Sequence, residues 1–141
     1  MTPLQALQQT LAGEHAAVYV YGVLGGRVSS SEQPDLARRL SSAYTVHRGR
    51  RDQLTAMVRA AHGDPVAAQT SYVVPTPAQT AAQFEAAARI VEQRSASVYA
   101  DTVGSTSRGD RQWAIDALLD AAVREMSFGA QPERFPGVAE L

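Results

Sequence analysis

The stretch DPVAAQTSYVVPTP, residues 64–77, separates two long helical patterns and contains three prolines. Because proline disrupts a helix interior, these fourteen residues form a connection and not part of a helix. Fully extended, they span roughly 46 Å, whereas a helix of about 27 residues is roughly 40 Å long. The connection can therefore run the whole length of a helical bundle. It predicts two antiparallel hairpins joined by one long crossover, and the alternative is an up-down bundle with a flexible loop.

Two helices are predicted on each side of this connection. The first begins at the capping motif Thr2-Pro3-Leu4-Gln5, and the third at the similar motif Thr76-Pro77-Ala78-Gln79. Short turns over residues 25–30 and 105–109 make the helices of each pair antiparallel neighbours. In the fourth helix, from about residue 110 to 128, an apolar stripe is predicted to face the core and consists of Ile115, Leu119, Ala122 and Met126.

No segment shows the alternation that is typical of a strand, so the chain is predicted to be all-α. Residues 1–141 form a single domain in this interpretation, and an irregular tail starts at about residue 129 because that part is rich in glycine and proline.

Composition excludes several classes of chemistry. The chain has no cysteine, which excludes disulfides, thiol nucleophiles and iron–sulfur clusters. All 13 basic residues are arginines, which excludes a lysine Schiff base. A net charge of −1 argues against a nucleic-acid partner. Without an apolar run of about 20 residues or a secretory signal, neither a membrane span nor export is expected, and a cytoplasmic location is predicted.

A few polar residues lie on the apolar stripes of the predicted helices. Glu14 and His47 are on the stripes of the first and second helices, Glu92 is at the edge of the third, and Asp120 is beside the fourth. Burying an unpaired carboxylate is costly, so these side chains must find partners inside the bundle. Oxygen and imidazole donors from different helices can meet around one iron, manganese or zinc ion, so the four residues form a candidate metal site.

Several motifs resemble those of a ferritin-like family. They are GEHAAVYVYG at residues 13–22, HRGRRD at 47–52, VEQRSASVY at 91–99 and Phe135-Pro136-Gly137. The chain is most similar to a bacterial ferritin-like domain of unknown function. The resemblance implies a ferritin-like four-helix bundle, but the family brings no established activity.

The resemblance also implies a degenerate two-metal site. Glu14 and Glu92 match the single acids of the first and third helices. The Glu-x-x-His position of the second helix reads Tyr44 to His47, so its glutamate is absent. The corresponding position of the fourth helix reads Asp120 to Val123, with a shorter acid and no histidine.

Two hypotheses follow from these departures. In the first, no cofactor is bound, and Glu14, Tyr44, His47, Arg51 and Glu92 form a buried polar network in which the Arg51 guanidinium replaces the metal's charge. The protein then has a non-catalytic structural, binding or assembly role, as a homodimer that docks through small-residue helix faces, with any small-molecule ligand unidentified. In the second, a mononuclear or residual di-iron site acts on oxygen or peroxide.

Overall fold

The first helix begins where the Thr2 side chain accepts a hydrogen bond from the Gln5 backbone and the Gln5 side chain accepts one from the Thr2 backbone. This reciprocal capping satisfies two backbone donors that a helix start leaves free. The computed structural model describes residues 1–138. Within them lie four helices and no strand, as predicted for an all-α chain: α1 (Pro3–Arg27), α2 (Pro34–Ala60), α3 (Ala81–Ser105) and α4 (Arg108–Ser127).

The start of α3 differs from the prediction. Its cap is Thr80, which forms the reciprocal motif with Gln83, and not Thr76 with Gln79. Both pairs have the same spacing, so the sequence pattern could not choose between them. Ala78 lies buried against the apolar core, and the Gln79 backbone donates to the Gln83 side chain ahead of the helix.

Contacts between helices establish the topology. Tyr21 contacts Glu92, and the earlier Thr10 contacts the later Thr102, so α1 and α3 are antiparallel. In contrast, α2 runs parallel to α3, because Arg39 lies near Glu85 and Arg50 lies near Tyr99 further along both helices. Two antiparallel hairpins joined by a crossover give this arrangement, which confirms the predicted connectivity.

The crossover runs along α1. Near its start, Gln8 donates to the carbonyl of Asp64 and accepts from the Val66 backbone. His15 Nε2 is 3.0 Å from the Val66 carbonyl oxygen, and the Tyr72 ring packs against Tyr19 at 5.6 Å. His15 therefore anchors the connection.

Helix α4 faces the core with a different side from the predicted one. Its buried positions are Ala114, Ala117, Ala121 and Glu125. Leu119 and Met126, which were predicted to be buried, are 58% and 42% exposed. The prediction was wrong because both faces of α4 are apolar, and periodicity alone does not show which of the two is buried. The alanine face allows close approach to α3, where Ala117 and Ala121 pack in one cluster with Tyr99.

Besides the cluster around Tyr99, two further apolar clusters fill much of the interior and leave a polar layer between them. The larger of the two surrounds Tyr21, Leu40 and Phe128, and the smaller one is built on Leu11 and Leu54. None of the helices in the described part of the chain is long and apolar enough to cross a membrane.

Gly137 packs so closely on α3 that a Cβ there would collide with the Ala96 carbonyl oxygen, which explains the glycine.

Candidate functional site

A buried histidine joins two carboxylates in the polar layer. His47 Nδ1 lies 2.6 Å from Oε2 of Glu14, and His47 Nε2 lies 3.0 Å from Oε1 of Glu92. All three side chains are at most 1% exposed. The structure thus brings together three of the four residues that the sequence suggested as metal ligands, from α1, α2 and α3.

The two carboxylates favour the charged form of this histidine. Burial by itself lowers the pKa of His47, but its hydrogen bonds to Glu14 and Glu92 and their negative charges outweigh burial and raise this pKa to about 9. At neutral pH the ring is therefore an imidazolium, in which both nitrogens carry protons and both donate.

Two tyrosines donate further hydrogen bonds to these carboxylates. Tyr99 donates its hydroxyl to Oε1 of Glu14, and Tyr21 donates to Oε1 of Glu92 at 2.6 Å. The Tyr21 ring is also stacked on His47 at 5.4 Å. Burial, followed by the neighbouring carboxylate, raises the pKa of each tyrosine well above its usual value of 10. Both hydroxyls therefore remain donors.

The tyrosines occupy equivalent positions in the two hairpins. Tyr21 follows Glu14 by seven residues, and Tyr99 follows Glu92 by seven residues. Seven residues are about two helical turns, so each tyrosine shares a face with its acid. Because α1 and α3 are antiparallel, each tyrosine reaches the acid of the other helix. Neither tyrosine was among the predicted site residues, although the repeated spacing was a usable signal.

Arg50 extends the network towards α4. Its guanidinium lies 5.3 Å from the centre of the Tyr99 ring, donates to the Tyr99 hydroxyl at 3.3 Å and pairs with Asp120. Asp120 also accepts from Arg124 at 2.6 Å. One chain of contacts thus connects, in order, Tyr21, Glu92, His47, Glu14, Tyr99, Arg50 and Asp120.

The structure corrects two members of the predicted network. The Arg51 side chain pairs with its exposed neighbour Asp52 and does not reach the buried acids, so the guanidinium of the network is that of Arg50. The Tyr44 ring packs beside Gly22 at the edge of the larger apolar cluster and is not part of the hydrogen-bonded chain. Arg50 and Arg51 each lie about one turn from His47, so helical period could not separate them.

The donor set of Glu14, His47 and Glu92 is arranged as hydrogen-bond partners. Both ring nitrogens of His47 face carboxylates, so a metal ion would have to displace a ring proton in order to bind His47. Asp120 lies at the other end of the chain of contacts, beyond Tyr99 and Arg50. Over residues 1–138, no three histidine or acidic side chains are grouped so that they could hold a metal ion.

Comparison with known proteins identifies the family. The model for a domain of unknown function, DUF4439, matches residues 6–140. The chain belongs to the DUF4439 family. A search of curated proteins gives no significant match.

A solved structure is also similar to this DUF4439 domain. It is the crystal structure of a conserved hypothetical protein, rv2844, from Mycobacterium tuberculosis. The two chains are 28% identical and superpose with a TM-score of 0.81, over 89% of this chain and 93% of the other. This similarity supports the four-helix architecture and suggests no activity.

One buried acid of the DUF4439 domain was not among the predicted site residues. Glu125 is the only buried charged side chain of α4 in the described residues, and it accepts a hydrogen bond from Gln93 at 2.8 Å. Burial is the main cause that raises the pKa of Glu125, and the negative charge of Glu92 adds to it. Glu125 follows the alanine face of α4 at helical spacing, so the wrong choice of face hid it.

Adjacent arginines of this DUF4439 domain are expected to differ sharply in their contribution to stability. Arg50→Ala should lower the free energy of unfolding by about 2–3 kcal/mol, because it removes buried charged hydrogen bonds and packing on Tyr99. Arg51→Ala should cost less than about 0.5 kcal/mol, because its pair with Asp52 is exposed to water. Urea unfolding of the two variants measures the difference. Equal losses would contradict the assignment of Arg50 to the network.

Proposed function

We propose that this DUF4439 domain is a ferritin-like bundle with a degenerate metal site and a non-catalytic structural, binding or assembly role. One observation carries the proposal: both ring nitrogens of His47 face buried carboxylates, at 2.6 and 3.0 Å. The charged ring supplies the positive charge between Glu14 and Glu92 that a metal would otherwise supply. With each acid also bonded to a tyrosine, the cluster is stabilised without a cofactor.

In residues 1–138, the buried network offers no free general base, which supports a role other than catalysis. The buried tyrosines keep their protons, and His47 keeps its proton until the pH approaches about 9. A general base needs a pKa near the working pH and access to a substrate. These side chains instead bind one another in the interior, which favours a structural purpose for the network.

The competing function is a metalloprotein acting on oxygen or peroxide. It is favoured by a single atom, Oε2 of Glu92, which is buried and has no hydrogen-bond partner among the described residues. A carboxylate oxygen in that state could accept another donor or bind a cation. The occupied nitrogens of His47 weigh more, because imidazole would be the ligand that selects a transition metal.

Metal analysis distinguishes the two functions. After expression in medium supplemented with iron, manganese and zinc, the purified domain is expected to contain far less than one metal per chain by elemental analysis. Proton NMR should then show both N–H protons of the His47 ring, which a metal would displace. About one metal per chain, lost in Glu14→Ala, would overturn the proposal in favour of the metalloprotein.

A homodimer and a cytoplasmic location belong to the same proposal. The sequence suggested docking through small-residue faces, but the alanine face of α4 is buried in the bundle. The apolar residues on the outer side of α4 are better candidates for the contact, since Leu119, Val123 and Met126 are all exposed.

A further inference from the structure

A cavity of about 240 Å³ opens between α1 and α3, partly covered by the crossover. Its walls are mostly apolar and include Ala17, Val20, Val91 and Val98. Apolar cavities as small as about 150 Å³ can hold a benzene ring. This cavity therefore has room for one ring, or a branched chain of similar size, with a short substituent.

Part of the space exists because α1 has a glycine at the cavity wall. Gly13 lines the cavity, and a Cβ added there would meet no atom within 4 Å. A glycine inside a helix costs about 1 kcal/mol relative to alanine. No close packing against Gly13 offsets that cost. The visible effect of the missing side chain is the open volume beside α1.

Polar side chains line the cavity both on its buried side and on its exposed side. Glu14 and Tyr99 line it where it meets the buried network, and they already bond to each other. Arg94 also lines the cavity, is exposed, and forms no salt bridge with the described residues. A few polar groups in a mostly apolar pocket are what usually orients a small ligand.

The charges favour an anion. Within the network, the carboxylates of Glu14, Glu92 and Asp120 are matched by three cations, His47, Arg50 and Arg124. The network therefore leaves no net charge for a ligand to neutralise. The guanidinium of Arg94 is the charge at the cavity that the described residues leave unmatched, and guanidinium binds carboxylates through two parallel hydrogen bonds.

We propose that this cavity binds a small organic anion, with a ring-sized apolar body between α1 and α3 and one carboxylate on Arg94. This site deepens the proposed binding role and rests on it. The ligand lies beside Glu14 and Tyr99 without replacing their hydrogen bond, so the buried network forms one rigid wall of the site.

Calorimetric titration of the full chain with phenylacetate, and with neutral phenylacetamide of nearly the same shape, tests the site. Phenylacetate should bind about tenfold more tightly, which corresponds to about 1.4 kcal/mol. Arg94→Gln should abolish this preference but keep the weaker binding of the amide. Arg48→Gln, at an exposed arginine of α2 outside the cavity, should leave the preference unchanged.

A cavity-filling variant locates the binding. Gly13→Leu should abolish the binding of both compounds while it preserves the helix, because leucine is a better helix former than glycine. Gly49→Leu on α2, where an added Cβ also meets no atom within 4 Å, is the matched control and should bind normally. Circular dichroism verifies that each variant is folded.

Three results would overturn the site: equal affinity for acid and amide, an unchanged preference in Arg94→Gln, or normal binding in folded Gly13→Leu. Failure of the site differs from failure of the proposed function. A metal-free protein that ignores phenylacetate loses only the ligand site, whereas about one metal per chain removes the proposed function itself.

Discussion

Replacement of His47 by leucine is expected to lower the free energy of unfolding by about 3–5 kcal/mol, the usual cost of removing one partner from a buried ion pair. The histidine is 0% exposed and is the cation between Glu14 and Glu92. Without it, two buried carboxylates face a side chain that cannot donate. One of them must take up a proton or water must enter the core, and both lower stability. Urea unfolding at pH 7 measures the loss.

A triple variant makes this prediction specific. If the loss comes from unpaired charge and not from altered packing, then Glu14→Met/His47→Leu/Glu92→Met should be more stable than His47→Leu alone. Replacing a whole buried ionic group by apolar residues is often neutral or stabilising, and methionine fills irregular space well. A loss below about 1 kcal/mol in His47→Leu would contradict the ionic interpretation. So would a triple variant that is less stable than the single one.

Stability should fall steeply as the pH rises from about 6.5 to about 9. The pKa of His47 is raised from 6.5 to about 9 in the folded protein. The folded state therefore holds a proton that the unfolded chain releases in this range. The stabilisation is complete below pH 6.5 and is lost as the pH rises through about 9. The total loss is roughly 3 kcal/mol, with a slope of at most about 1.4 kcal/mol per pH unit.

Urea unfolding at intervals between pH 6 and pH 9.5 tests this dependence. Tyr21 and Tyr99 do not interfere with this test. Their pKa values are raised in the folded protein, so they lower its stability only above about pH 10, where tyrosines of the unfolded chain lose their protons. The triple variant lacks His47 and should have nearly constant stability over the same range. A flat profile in the natural sequence would show that the histidine is neutral in the folded state. One ring nitrogen would then be available to a metal ion, which would favour the metalloprotein hypothesis.

Local signals in the sequence were sufficient for the helices. The capping motif at Thr2 and the apolar periodicity predicted four helices, and the proline-rich connection predicted the crossover, because reach and helix length are fixed by covalent geometry. The same periodicity placed Glu14 and His47 on inward-facing stripes. The structure brings these two side chains into contact together with Glu92.

Choices between neighbouring residues required the assembled bundle. Arg50 and Arg51 are both about one turn from His47, and only the position of Tyr99 and Asp120 makes Arg50 the inward one. Similarly, both faces of α4 are apolar, and close packing against α3 selects the alanine face. Periodicity describes one helix at a time, so it contains no information on which partner each face meets.

The sequence by itself determined that this protein is a four-helix bundle with acids and a histidine inside it, and that residues 64–77 are long enough for a crossover, because helix phase and chain reach are local properties. The tertiary structure decided how those acids are satisfied. Because α1 and α3 are antiparallel, Tyr21 of α1 bonds to Glu92 of α3, and Tyr99 of α3 bonds to Glu14 of α1. His47 lies between the two acids. The free energy of a buried charge depends on every group around it, and those groups come from three different helices.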